Sequence, residues 1–112
     1  MTSLPIRQPP AVEPTETLEE RFRRLADEWY RADAHHSSDH IRNKHPAYQE
    51  IIGLGRPVVP LLLHDLEVNR RHWFAALHAI TGANPVRPED AGSFPKMAEA
   101  WLNWGREQGY QW

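Results

Sequence analysis

The sequence predicts an all-α protein, a single small domain of five or six helices. Three observations lead there. Apolar residues recur three or four positions apart in successive segments, which marks one face of a 3.6-residue helix. Prolines and glycines fall where helices begin and end rather than inside the periodic runs. The one segment of strand-like composition, residues 56–63, carries two prolines that a central strand would not accept.

A chain of 112 residues has room for one hydrophobic core, large enough to hold together without disulfides or metals. Apolar residues make up 40% and charged residues 25% of it, the proportions of an ordinary soluble domain. The absence of cysteine excludes a disulfide scaffold, a thiolate metal site and a cysteine nucleophile. No apolar run approaches the length of a membrane span and no hydrophobic segment follows the N-terminus as a signal would, so a cytoplasmic location is expected. A net charge of −2 argues against a general nucleic-acid binder.

Residues 1–14 hold four of the ten prolines and no apolar period, and read as a flexible arm; the domain is expected over 15–112. Thr15 with Glu16, Glu19 and Glu20 suits a helix start, since acids favour the positive end of the helix dipole. Leu18, Phe22, Leu25 and Trp29 follow at steps of four, three and four, giving a first helix to about Ala34. A histidine-rich link comes next, in which Ser37, Ser38 or Asp39 could cap a second helix. Pro46 opens a short helix over Ala47–Ile52, which the run Gly53-Leu54-Gly55 stops.

In a helix starting near Pro57, both Pro57 and Pro60 sit in the first turn, where the missing donors have no helical partner anyway. Val59, Leu62, Leu63 and Leu66 then form one face, widened by Val58 and Leu61, and place this helix at the centre. A polar turn at residues 67–71 leads to a helix over His72–Thr81 with Trp73, Leu77 and Ile80 on its core face. The loop 83–93 is rich in turn residues. A last helix, Phe94 to about Gln108, sets Phe94, Met97, Ala98, Trp101 and Trp104 at helical spacing.

Ile51-Ile52-Gly53-Leu54-Gly55, the Val59-Pro60-Leu61-Leu62 run and the alanine-rich stretch Trp73–Ile80 together resemble one HEAT-like repeat, a helical hairpin over about residues 51–82. The resemblance implies two packed helices with other helices around them, since a single unit cannot form a solenoid. A longer likeness, from His45 to Tyr110, is to a group of short bacterial proteins to which no activity attaches. It implies a bacterial, single-domain protein and transfers no catalytic residue.

Candidate chemistry is sparse. His35, His36, His40 and His45 lie within eleven residues. His36 and His40, four apart, are weak candidates for metal ligands from one helix face, but no HExxH-type motif accompanies them, and the segment reads first as an exposed polar link. His64 and Asp65 point to different sides of the central helix. No P-loop, GxGxxG, nucleophile elbow or paired-carboxylate motif is present, so no enzyme, no catalytic residue and no cofactor are expected. Arg70 and Arg71 stand at the entry to a helix, but the following His-Trp-Phe-Ala-Ala-Leu offers little to read base edges. Nucleic-acid binding is the alternative reading and a histidine-dependent enzyme the remoter one.

The aromatic residues carry the functional signal. Of five tryptophans, the stripes assign Trp29, Trp73 and Trp101 to the core. Tyr30, Phe74, Trp104, Tyr110 and Trp112 are left at its margin, where tryptophan, tyrosine and arginine commonly anchor interfaces. The expected function is non-catalytic binding of another protein, or of a second copy, with an antitoxin-like or inhibitor role as one form. Arg70, Arg71, Phe74, Tyr110 and Trp112 are the expected partner-binding residues. Arginines scattered around aromatics would favour a protein partner, and arginines aligned in a stripe would favour nucleic acid.

Overall fold

A computed structural model describes residues 16–33 and 44–112. Among these residues all regular secondary structure is helical, with five α-helices and two 3₁₀ turns. The expected arm, the Thr15 start, His36, His40 and the Ser37–Asp39 cap lie outside the described residues.

α1 spans Leu18–Asp33. Its start is a reciprocal cap at Thr17: the Thr17 hydroxyl accepts from the Glu20 N–H at 3.0 Å, and the Glu20 carboxylate accepts from the Thr17 N–H at 2.9 Å. This pair satisfies two N–H groups that would otherwise have no partner. Ahead of the cap, Glu16 receives Arg24 and Arg21, and the Arg24 hydrogen bond holds its carboxyl below the usual range. Phe22, Leu25, Ala26 and Trp29 form the buried stripe.

α2 spans Pro46–Gly53 and is capped by His45, whose Nδ1 accepts from the Ala47 N–H at 3.0 Å. The central segment divides in two. Gly55, at φ 78°, turns the chain into a 3₁₀ turn over Arg56–Val58, and α3 follows over Val59–Asn69. Pro57 thus lies in the 3₁₀ turn and Pro60 in the first turn of α3, so neither removes a helical hydrogen bond. The start is later than the sequence predicts because the tighter 3₁₀ turn takes up the first proline.

α3 also runs into the expected polar turn, ending at Asn69. The Asn69 amide donates to Asp65 one turn back at 2.6 Å, and Arg70 then ends the helix in the left-handed region at φ 57°. α4 spans Phe74–Thr81 and ends at Gly82, whose φ of 74° suits a residue without Cβ. His72 and Trp73 therefore precede α4 instead of opening it. After a 3₁₀ turn at Pro88–Asp90, α5 covers Phe94–Glu107.

α1 packs on α2, α2 on α4, and α3 on α5, while the Arg56–Val58 turn touches both α1 and α3. Trp73 sits at the middle of the core. Its ring lies 4.7 Å from Trp29, 5.4 Å from Tyr48 in a stacked pair and 5.5 Å from Phe22, measured between centroids. Trp29, Trp73 and Trp101 are all fully buried, as the stripes predict. On α5 the buried set is Ala98, Trp101, Leu102 and Gly105. Phe94, Met97 and Trp104 flank it, half-buried.

The end of α5 folds back on itself. Gly109, at φ 86°, lets its N–H bond the Arg106 carbonyl and the Tyr110 N–H bond the Gly105 carbonyl, at 3.1 and 3.0 Å. This paired closure satisfies two terminal carbonyls and carries Tyr110 onto Trp104, 5.8 Å away. Trp112 is then laid across Gly105. A Cβ on that glycine would meet Leu63 Cδ1 at 2.6 Å and the Trp112 ring at 3.0 Å. Gly105→Ala should therefore destabilise by about 1–3 kcal/mol through overpacking, although alanine is the better helix former. A denaturant midpoint equal to or above wild type would contradict this packing.

Candidate partner-binding surface

The five residues expected at one binding face occupy three places. Arg70 and Phe74 stay together. The Arg70 guanidinium lies 5.0 Å from the Phe94 ring centre, and Phe94 makes an edge contact with Phe74 at 5.3 Å. His72 packs against both rings. Phe74 is half-buried and packs against the core with one side. Its other side lines an open groove of about 360 Å³ between α4, the 83–93 loop and α5. Val86, Pro88, Met97 and Trp101 continue the apolar lining, with exposed Ala75 at the edge. His78 and Arg87 supply the polar rim. The His78 Nδ1 donates to the Ala83 carbonyl at 2.8 Å, and Arg87 pairs with Asp90 and Glu89 at 3.3 Å.

Arg71 turns inward. Its side chain is only 17% exposed, pairs with Asp27 at 3.7 Å and Asp65 at 3.8 Å, and crosses the face of Tyr30 at 4.3 Å. It borders a second, narrower cleft of about 260 Å³ between α1 and α3.

Tyr110 and Trp112 hold a third position, on their own chain. Arg56 donates to the Tyr110 hydroxyl at 3.1 Å. The Trp112 indole N–H donates to Glu67 at 3.0 Å, and Arg106 reaches both the other Glu67 oxygen and the Trp112 ring. Both aromatics are half-buried and tie the end of the chain to α3 and α5.

Asp65, expected as a boundary residue satisfied by a backbone or side-chain partner, does have side-chain partners and is buried. Its carboxylate is 7% exposed and accepts from the Trp73 indole N–H at 2.7 Å and from Asn69 at 2.6 Å. A charged residue inside the apolar run 61–66, with an amide four residues later, is the signal that points to that burial. Among the described residues no group of three or more histidine, aspartate or glutamate side chains is gathered as a metal site would require, and no helix is long and apolar enough to cross a membrane.

Several of the described arginines engage acids or aromatic groups of the chain itself. Arg21 and Arg24 engage Glu16, and Arg23 engages Glu19. Arg70, Arg71 and Arg106 each lie over an aromatic ring, and Arg56 bonds a tyrosine hydroxyl.

Comparisons with protein-family models, with curated proteins and with solved structures give no significant match.

Proposed function

We propose that this chain is a non-catalytic bacterial interaction module, HEAT-like in its α3–α4 hairpin and antitoxin- or inhibitor-like in role. Its partner is another protein or a second copy of itself. The observation that carries the reading is the placement of Arg70, Arg71 and Arg106 each over an aromatic ring, in three separate positions, while Arg21 and Arg24 on α1 are both engaged by Glu16. Arginine and large aromatics dominate the energetics of protein interfaces because they bury wide surface at modest entropy cost. The Phe74 groove is the place of engagement, because its apolar lining stays open to an apolar side chain brought by the partner.

Ala75→Glu tests this. Ala75 is exposed in the first turn of α4, where an acid is favourable to the helix, so stability should stay within about 0.5 kcal/mol of wild type. The charged side chain enters the groove edge and should abolish binding. The measurements are crosslinked capture from the host and sedimentation of the purified protein, each compared with wild type. A partner captured equally by folded Ala75→Glu, or self-association unchanged in it, removes the groove from the interface.

A further inference from the structure

The Phe74 groove carries a polar group whose hydrogen-bonding role the fold itself sets. His78, on α4, lines the groove, and its Nδ1 lies 2.8 Å from the Ala83 carbonyl. A carbonyl oxygen only accepts, so Nδ1 holds the proton, and in the neutral ring Nε2 is left as the acceptor. Among the described residues the bond to Ala83 is the ring's one hydrogen bond. The charges beside the groove cancel. Arg87 is engaged by Glu89 and Asp90 at 3.3 Å, and Asp90 also meets Lys96 at 3.9 Å, two cations against two acids. Arg70, over Phe94, does not line the groove. The rest of the lining is chiefly Phe74, Val86, Pro88, Met97 and Trp101, with exposed Asn84, around about 360 Å³.

That charge balance disfavours an ionised occupant, which would give up hydration without gaining a counter-ion. It suits a neutral apolar ring that brings one donor, since a few placed polar groups in an apolar site fix a ligand's orientation. A phenyl ring would cover the lining but leave the imidazole nitrogen unpaired and cut off from water. An indole donates and does not accept, so a single acceptor satisfies it completely. We propose that the groove is a receptor for a tryptophan side chain of the protein partner, with the indole ring on Phe74 and Met97 and the indole N–H donating to His78 Nε2. The proposal rests on the groove being the interface and names the anchor that the partner must present.

The test is a titration of the full-length protein, labelled with ¹³C at its methionine methyls, with N-acetyl-tryptophan amide and its 1-methylindole analogue. It is run at about pH 8, where an ordinary imidazole is neutral. Met97 lines the groove and is one of two methionines, so its methyl is one of two signals. The tryptophan amide should shift that signal saturably in the millimolar range. The methylated analogue keeps the ring and loses the donor, and should bind about three- to tenfold more weakly, the fold-change of one net hydrogen bond. In His78→Phe, which removes the acceptor, the two amides should bind alike. No saturable shift, equal binding of the two amides by wild type, or the same preference persisting in folded His78→Phe would each overturn the proposal. The wild-type comparison decides by itself whatever the stability of His78→Phe. Should Ala75→Glu abolish partner binding while wild type treats the two amides alike, the groove stays the interface and loses its indole anchor, so the two readings fail separately.

Discussion

Trp73→Ala is expected to cost about 3–5 kcal/mol, the range for removing a fully buried large aromatic, and so a large part of the stability available to a domain of this size. The ring is fully buried and meets Phe22, Trp29 and Tyr48, so its removal opens a cavity bounded by three other rings. Those rings belong to α1 and α2, while Trp73 itself leads into α4. The cavity therefore falls where three elements meet, and no single side chain can relax to fill it. Trp73→Phe separates packing from polarity: it keeps most of the apolar contact but removes the indole donor to Asp65. It should cost less than Trp73→Ala, about 1–3 kcal/mol, chiefly from the buried carboxylate oxygen it leaves without a donor. Urea unfolding followed by far-ultraviolet circular dichroism measures both. A midpoint for Trp73→Ala within error of wild type would show that the four-ring cluster does not organise the core.

The helices were legible in the sequence because their apolar stripes are local. Phe22, Leu25 and Trp29 on α1, and Leu62, Leu63 and Leu66 on α3, are buried where their spacing places them. The ends of the helices were less legible, because side chains far from the periodic face decide them. Asn69 extends α3 by bonding Asp65. Tyr48, on α2, places its hydroxyl 2.9 Å from the Ala76 N–H and so satisfies one of the free donors at the start of α4. The Tyr48 contact joins residues 28 apart and is not predictable from spacing along the chain, whereas the Asp65–Asn69 pair has ordinary helical spacing that does not by itself mark a helix end.

The candidate surface was legible only in part for a related reason. The aromatic count showed that some rings must lie at the margin, and Tyr30, 51% exposed, with half-buried Phe74, Trp104, Tyr110 and Trp112 do lie there. Periodicity says that a side chain leaves the core stripe, but not whether another part of the chain covers it. Tyr110 and Trp112 are covered by Arg56, Glu67 and Arg106, and Arg71 by Asp27, Asp65 and Tyr30. Phe74 keeps one side on a groove because the 83–93 loop passes beside it without closing over it.

Asp65→Ala should cost about 3–5 kcal/mol, comparable to the loss of Trp73 itself, although it deletes only a carboxylate. That carboxylate serves three neighbours. It accepts from the Trp73 indole and the Asn69 amide and lies within 3.8 Å of Arg71. Removing it leaves an indole N–H unsatisfied in the core and a largely buried guanidinium with only the half-exposed Asp27 as a counter-ion. The penalty comes mainly from these stranded groups rather than from the hydrogen bonds themselves. A second substitution separates the two contributions. Arg71→Met keeps a long apolar side chain beside Tyr30 and removes the stranded charge, so Asp65→Ala combined with Arg71→Met should be less destabilised than the sum of the single variants by about 1–3 kcal/mol. Additive costs across this cycle would mean that Arg71 is adequately solvated in the fold and that Asp65 acts through Trp73 and Asn69 alone.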